Sequence, residues 1–288
     1  MKNKSHYHGI ENRVGDTALI RLRRLSELTG CHILGKAEFM NPGGSGKDRA
    51  ALAIILDAEA QGLLKPGATI VEGTAGNTGI GRTMIGHARG YYRTVIVIPE
   101  TQSPEKISLL RAFGAEVITV AEKPYSDPAK YNHVARRLAH AKGWFWANQF
   151  DNPANRLAHY RTTGPEIWEQ TRGEVTAFVS AVGTGGTLAG TALYLKEQNS
   201  KIVTVCAEPY GAAIWSWFTH GHTDIKDGDS YAEGIGQSRV TKNLEGLAID
   251  RARPDHRHAV VRFRVEIPIQ TVQSGMADGA RAGFPCFH

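Results

Sequence analysis

Residues 175–199, VTAFVSAVGTGGTLAGTALYLKEQN, join an apolar strand to an apolar helix through a short glycine-rich loop. The first eight residues are rich in β-branched and apolar types, which is typical of a buried strand. The residues after the loop have the composition and length of a helix. A strand followed by a tight loop and a helix is half of a βαβ unit, so this stretch predicts parallel strands with helical crossovers.

The same alternation of strand and helix runs from about residue 50 to about residue 210. The predicted strands are ATIVEG (68–73), TVIVIPE (94–100), AEVITV (115–120), WFWANQF (144–150) and IVTVCAEP (202–209). The predicted helices are RAALAIILDAEAQGLLKPG (49–67), TGIGRTMIGHARG (78–90), AKYNHVARRLAHAKG (129–143) and PANRLAHYRTTGPEIWEQT (153–171), with a further helix capped by Ser103 and begun by Pro104. Strands spaced by helices predict an α/β fold with a mostly parallel sheet.

Composition narrows the class of protein. The chain has 288 residues, of which 41% are hydrophobic and 22% charged, so it can bury a large core or two cores. It contains neither an apolar run of membrane-spanning length nor the apolar centre of a secretory signal, so we expect a cytoplasmic protein without a membrane partner. The net charge is +6, but the basic excess is uneven and forms no basic-aromatic stripe, so we expect no nucleic-acid partner. The cysteines show no metal-ligand spacing. The histidine pairs at 6/8, 220/222 and 256/258 could bind a metal, but solvated side chains explain them better, and no metal site is expected.

Three loops at the carboxyl ends of predicted strands carry the unusual residues: GTAGNTG (73–79), NQFDN (148–152) and GTGGT (183–187). In open α/β sheets ligands bind beyond these strand ends. The GTGGT loop can hold an anion with its backbone N–H groups and the start of a helix. A dinucleotide fingerprint would need glycine at the position of Leu188, so a single monophosphate fits better. The GTAGNTG loop can hold a small carboxylate in the same way, although an ordinary turn is an equal alternative.

Lys47 lies in NPGGSGKDR (41–49), ahead of a predicted helix. A phosphate-gripping P-loop would need glycine in place of Asn41 and a hydroxyl in place of Asp48, so that interpretation fails. An exposed charge and a lysine that bonds covalently to a cofactor remain. A monophosphate loop, a carboxylate loop and one lysine together favour pyridoxal phosphate, because the lysine amine can bond to its aldehyde and a partly buried lysine loses its proton more readily.

Six motifs in order resemble one family: NPGGSGKDRAA, VEGTAGNTGIG, PETQSPEKISLLRAFGAEV, NQFDNPAN, GTGGTLAG and EGIGQSR. They look like the cysteine synthase / cystathionine β-synthase family of fold-type II pyridoxal-phosphate enzymes, over about residues 10 to 250. The resemblance implies two doubly wound open-sheet domains. Residues 43–150 would form a smaller domain with the substrate-carboxylate loop, and residues 1–42 and 151–250 a larger domain that binds the cofactor phosphate. It also implies a homodimer.

The resemblance assigns roles to particular residues. Lys47 would carry the cofactor and take the substrate α-proton, and Asn77 would hydrogen-bond the phenolic oxygen of pyridoxal 5′-phosphate. The cofactor phosphate would lie on Gly183, Thr184, Gly185, Gly186 and Thr187. The substrate carboxylate would be held by Thr74, Gly76, Thr78 and Gln149. Ala75 stands where the family usually has serine, which removes one hydroxyl donor.

The implied reaction is a β-replacement, in which O-acetylserine and sulfide give L-cysteine. Ala75 and EGIGQSR also resemble cysteine desulfhydrases, which convert cysteine to pyruvate, ammonia and sulfide, so the direction of the reaction stays open.

After NLEGLAID (243–250) the family pattern ends. Residues 251–288 form an atypical tail that need not be ordered, and no residue in it matches the family serine that meets the pyridine nitrogen. We therefore expect the fold to be incomplete at its C-terminal end. A truncated or frame-shifted end, or a divergent native tail, would explain this pattern. A catalytically impaired relative is the third functional alternative.

Overall fold

The structure, a computed structural model, describes residues 9–74, 76–90, 92–209, 212–224, 234–255 and 266–267. Ala75, Glu233 and most of the tail from residue 251 onward therefore lie outside the described residues. The strands are β1 (Leu19–Arg21), β2 (His32–Lys36), β3 (Thr69–Gly73), β4 (Arg93–Pro99), β5 (Glu116–Val120), β6 (Phe145–Trp146), β7 (Ala177–Ser180), β8 (Val203–Pro209), β9 (Arg251–Asp255) and β10 (Glu266–Ile267). The α-helices are α1 (Arg23–Thr29), α2 (Lys47–Ala60), α3 (Asn77–Gly90), α4 (Pro104–Ala112), α5 (Tyr131–Lys142), α6 (Pro153–Arg161), α7 (Thr163–Gln170), α8 (Gly186–Gln198) and α9 (Ala213–His220).

The strands form two parallel sheets and a small antiparallel one. The first sheet has the order β5-β4-β3-β6, and every pairing in it is parallel. The second has the order β7-β8-β9, again parallel. Strand β2 pairs antiparallel with both β1 and β10. The predicted α/β fold with parallel strands is confirmed.

Helices cover both faces of the first sheet, as a doubly wound fold requires. Val71, Val95 and Val97 pack on one face with Ala135 and Ala139 of α5. The alternate residues of the same strands point the other way because side chains alternate along a strand. On that second face, Ile70 packs with residues of α2 and α3, while Ile96 and Ile98 pack with residues of α3 and α4.

The helix predicted over 153–171 is wrong as a single element. The structure breaks it at Thr162, whose φ of −127° and ψ of −66° are not helical. Pro165 explains the break, because proline is tolerated in the first turn of a helix and not in its interior. Helix α7 therefore begins anew at Thr163 and places Pro165 in its first turn. The cap predicted at Ser103 is confirmed, since its side chain accepts a hydrogen bond from the Lys106 N–H at 3.3 Å.

Two strands differ from the sequence pattern. The strand expected over 144–150 is paired only at Phe145 and Trp146, and the chain then turns at Asn148, which has a φ of +47°. Residues 251–255, the start of the atypical tail, form β9, which pairs along the free edge of β8.

In the described part of the chain no helix is long and apolar enough to cross a bilayer.

Candidate active site

Lys47 is the first residue of α2, and the loop before it is held in place by side chains. The Asn41 side chain accepts a hydrogen bond from the Gly15 N–H at 2.8 Å and donates to the Glu38 carbonyl at 2.9 Å. The Asp48 carboxylate accepts the Gly43 N–H at 2.5 Å. These contacts fix where the chain enters the helix, and with it the position of the Lys47 backbone.

Burial favours the neutral form of the Lys47 amine. It lowers the pKa of that group, while the negative charge of the Glu38 carboxylate acts in the opposite direction. Burial also raises the pKa of the neighbouring Asp48 carboxyl to about 6. A neutral amine can act as a nucleophile or as a base, which an exposed ammonium cannot do at neutral pH.

Lys47 opens onto a cavity of about 230 Å³ that gathers most of the predicted site residues. Its lining includes Lys47, Thr74, Gly76, Asn77, Thr78, Gln149, Gly183 and Thr184. Gly185, Gly186 and Thr187 belong to the same loop as Gly183 but are not among the lining residues. The structure thus brings together Lys47, the carboxylate loop (residues 73–79) and the start of the phosphate loop (residues 183–187).

The carboxylate loop is pinned at both ends by threonine hydroxyls. Thr74 accepts a hydrogen bond from the Gly76 N–H at 3.1 Å, and the Thr78 hydroxyl donates to Gln149 Oε1 at 2.6 Å. Gly76 has a φ of +142°, a conformation that L side chains rarely adopt. Asn77 begins α3 and is exposed at the edge of the cavity.

The loop of residues 183–187 leaves no room for side chains at its glycines. A Cβ atom on Gly183 would lie 2.1 Å from the Gly234 carbonyl oxygen, and one on Gly186 would lie 2.2 Å from Asn155 Oδ1. Gly185 has a φ of +82° and packs against Leu244. The backbone of this loop is therefore closely packed against Gly234, Asn155 and Leu244, and it leads into the start of α8, where helix N–H groups can meet an anion.

Two buried asparagines join the phosphate loop to the loop after β6. The Asn155 amide donates to the Gln149 carbonyl and to the Thr184 hydroxyl, both at 2.9 Å. The Asn243 amide donates to the carbonyls of Gln149 and Phe150 at 2.9 Å and of Thr184 at 3.1 Å. Sequence reasoning missed both asparagines. The position of Asn155 three residues beyond NQFDN was the available signal for one of them.

His159 was also missed, and it lies directly behind the phosphate loop. Its Nε2 is 3.1 Å from the Thr187 hydroxyl, and its Nδ1 is 2.9 Å from the Thr163 hydroxyl. Burial lowers the pKa of His159 to about 3, so the ring is neutral at physiological pH. A neutral ring has one N–H, which it donates to one hydroxyl while accepting from the other. This chain of contacts fixes the orientation of the Thr187 side chain.

The remaining wall of the cavity comes from residues that the sequence analysis did not assign. They are Lys106, Tyr131, Phe150 and the segment 234–237. This segment is followed by Arg239, whose guanidinium meets both oxygens of Asp151 at 2.9 and 2.7 Å. That two-point ion pair ties the EGIGQSR motif to the NQFDN loop.

Comparison with known proteins identifies the family. The family model described as "Pyridoxal-phosphate dependent enzyme" matches residues 10–261. The chain belongs to this family.

Within the described residues there is no group of three or more His, Cys, Asp or Glu side chains that could hold a metal ion.

Similar proteins agree with the motifs. The chain is 56% identical over 240 residues to cysteine synthase 1 of Neurospora crassa, covering 82% of this chain and 64% of that protein. It is 53% identical over 241 residues to cysteine synthase 1 of Emericella nidulans, covering 83% of this chain and 65% of that protein. The chain thus spans just under two-thirds of the length of these relatives. The resemblance to the cysteine synthase / cystathionine β-synthase family is confirmed.

Solved structures show the same fold. The crystal structure of O-ureido-L-serine synthase superposes with a TM-score of 0.78 at 38% identity, covering 87% of this chain and 76% of that one. A hydrogen sulfide-producing enzyme from Fusobacterium nucleatum gives a TM-score of 0.76 at 34% identity, covering 88% of this chain and 82% of that one. The fold-type II architecture predicted from the motifs is confirmed.

The residues present fit pyridoxal 5′-phosphate, the cofactor that the family implies. A lysine with a lowered pKa lines the cavity, which suits a covalent bond to an aldehyde. The cavity also reaches Gly183 and Thr184, at the start of a loop whose glycines admit no side chain and whose helix begins at Gly186. An amine and an anion-binding loop on one cavity match the aldehyde and the phosphate of this cofactor.

Proposed function

We propose that the protein is a pyridoxal-phosphate-dependent cysteine synthase. In the reaction, the bond between the β-carbon of O-acetyl-L-serine and its ester oxygen breaks and acetate leaves. A bond from the same carbon to sulfide sulfur forms, which gives L-cysteine. The observation that carries the proposal is that Lys47 shares one cavity with Thr74, Thr78 and Gln149, the residues suited to hold an amino-acid carboxylate. The cysteine synthases among the similar proteins support the choice of substrates.

The cofactor would be held by Lys47, by Asn77 at its phenolic oxygen and by residues 183–187 at its phosphate. When bound, it supplies an electron sink for the bonds at the substrate α-carbon. Thr187 would reach the phosphate with a hydroxyl that His159 orients.

Lys47 would act on the substrate as a base. Its lowered pKa makes the neutral amine available to take the α-proton, and the contact between Asp48 and Gly43 holds the backbone from which the side chain extends. Thr74, Thr78, Gln149 and the backbone of Gly76 would hold the substrate carboxylate. The loop has alanine at position 75, so backbone N–H groups would supply donors where the family usually has a hydroxyl.

Product analysis tests the proposal. The purified protein, supplied with pyridoxal phosphate, should form cysteine and acetate from O-acetyl-L-serine and sulfide. Release of pyruvate, ammonia and sulfide from cysteine alone, without cysteine formation, would show a desulfhydrase instead. Cofactor absorbance without turnover of either mixture would show a catalytically impaired relative.

Three further expectations belong to the proposal. The smaller domain would comprise residues 43–150, which contain the whole of the β5-β4-β3-β6 sheet, and residues 1–42 with 151–250 would form the larger domain. The family resemblance supports a homodimer, and sedimentation analysis of the purified protein tests it. A cytoplasmic location follows from the sequence pattern, and cell fractionation tests that expectation.

A further inference from the structure

A buried ion pair lies beneath the carboxylate loop. Glu72 belongs to β3, just before the loop, and Arg82 belongs to α3, just after it. Arg82 Nη2 is 3.1 Å from Glu72 Oε2, and the two side chains are 0% and 1% exposed. The pair therefore connects the strand that leads into the loop with the helix that leaves it.

The Glu72–Arg82 ion pair is not explained by a contribution to the stability of the fold. Within the described part of the chain, Nε, Nη1 and Nη2 of Arg82 have no hydrogen-bond partner. The buried guanidinium therefore lies close to the Glu72 carboxylate, but its N–H donors are not satisfied. Burying two charges costs more than such a pair usually returns, and apolar side chains of similar volume are often as stable or more so. A buried pair of this kind can instead serve to specify one arrangement of the backbone.

The Glu72 carboxylate contacts both loops that face the substrate. It lies near the backbone N–H groups of Gln149 and Gly73, which favour its charged form, whereas burial raises its pKa to about 7. Gln149 in turn accepts the Thr78 hydroxyl through its side chain at 2.6 Å. One carboxylate thus meets the Gln149 backbone and the start of the carboxylate loop, and Arg82 holds that carboxylate from the helix.

We propose that the Glu72–Arg82 ion pair is a positioning device for the substrate carboxylate, which holds the 73–79 segment against Gln149 so that their donors meet at one point. The proposal rests on the proposed function, because it concerns the amino-acid subsite of that reaction. Neither Glu72 nor Arg82 lines the cavity, so both act through Thr74, Thr78 and Gln149.

The test uses the double variant Glu72→Leu/Arg82→Met in the cofactor-loaded protein. Removing both charges should leave the melting temperature and the cofactor affinity close to those of the wild type. The dissociation constant of L-alanine, which has the α-carboxylate but no leaving group, should rise at least about tenfold in calorimetric titration. KM for O-acetyl-L-serine should rise by a similar factor, with kcat changed less than about threefold.

Two further variants sharpen the result. Arg82→Lys keeps the charge and should retain L-alanine affinity within about threefold of the wild type. The double variant Glu59→Leu/Arg89→Met is the matched control. It removes a partly exposed ion pair at α3, in which Arg89 Nη2 is 2.6 Å from Glu59 Oε2, and it should leave L-alanine binding unchanged.

Wild-type L-alanine affinity in Glu72→Leu/Arg82→Met would overturn the proposal. A loss of L-alanine affinity that is matched by a similar fold-loss of cofactor affinity and accompanied by a lower melting temperature would also overturn it. If that double variant does not fold, Glu72→Gln takes its place, and unchanged L-alanine affinity there would also overturn it. A wild-type protein that neither binds L-alanine nor forms cysteine would instead defeat the proposed function, and this inference with it.

Discussion

The Thr78 hydroxyl and Gln149 Oε1 lie 2.6 Å apart, across 71 positions of sequence. Both side chains are 2% exposed, so the hydrogen bond is shielded from solvent. Because the oxygen of the Gln149 amide is occupied by Thr78, its NH₂ group is the part able to donate to a ligand. The pair therefore sets which end of the amide serves the cavity.

Thr78→Val should weaken substrate binding more than it disturbs the cofactor. The change keeps the shape of the side chain and removes the donor, which leaves the Gln149 oxygen buried without its partner. We expect KM for O-acetyl-L-serine to rise about tenfold or more, with cofactor affinity unchanged in a spectral titration. Thr83→Val is the matched control, since Thr83 is equally buried on α3 but donates only to the Gly79 carbonyl. An equal rise of KM in both variants would contradict the prediction.

Lys47→Ala should remove the covalently held cofactor and lower turnover by at least about 10³-fold, because it deletes both the attachment point and the proton acceptor. Borohydride reduction followed by mass analysis of peptides checks the attachment. Lys65→Ala, at an exposed lysine, should behave as the wild type. Cofactor trapped on a different lysine in Lys47→Ala, together with normal turnover, would show that the assignment is wrong.

Asn243→Ala should destabilise the protein and the cofactor site together. The change deprives three backbone carbonyls of their shared donor, two of them in buried hydrogen bonds, which we expect to cost about 1–3 kcal/mol. For a chain of this size, that lowers the melting temperature by about 2–4 °C per kcal/mol. Thermal unfolding with and without pyridoxal phosphate measures both effects. Asn199→Ala, at an exposed position after α8, is the control and should change neither quantity.

Local patterns predicted the elements that build the site. The glycines of residues 183–187 and the alternation around them sufficed for β7, the loop and α8. The single helix expected over 153–171 shows the limit of such patterns, because a proline three residues into a new helix looks the same as a proline that ends an old one. Strand β9 was missed because its residues, RARPD, lack a β pattern and are ordered by pairing with β8.

The supporting side chains of the site were harder to predict. Asn155, His159 and Asn243 act through contacts between segments that are far apart in sequence, and only Asn155, through its position just after NQFDN, gave a sequence signal. Arg82 is the clearest case, since an arginine within an amphipathic helix is ordinarily read as a solvated charge. Only the fold shows that it faces Glu72.

Glu208 should make the protein less stable as the pH rises. Burial raises the pKa of its carboxyl to about 8, whereas the ordinary value is 4.5. Between these values the folded protein keeps a proton that the unfolded chain has released. The free energy of unfolding therefore falls with pH across this window, by up to about 1.4 kcal/mol per pH unit from this group.

Glu208→Gln isolates this effect, because the glutamine side chain can still accept the Val182 N–H that Glu208 accepts at 3.2 Å. Denaturant unfolding at pH 5 to 9 should show the variant gaining stability relative to the wild type as the pH rises, with the difference levelling off above about pH 8. Glu169→Gln, at an exposed carboxyl, should follow the wild type. Parallel pH profiles for Glu208→Gln and the wild type would contradict the prediction.

The amide of Asn155 has a thermodynamic consequence. One NH₂ group serves the Gln149 carbonyl on the substrate side and the Thr184 hydroxyl on the phosphate side. A ligand that shifts one of these two loops therefore changes the binding free energy of a ligand at the other loop, and such linkage is reciprocal. In the cofactor-free protein, the factor by which inorganic phosphate alters the affinity for an amino acid should therefore equal the factor by which that amino acid alters the affinity for phosphate.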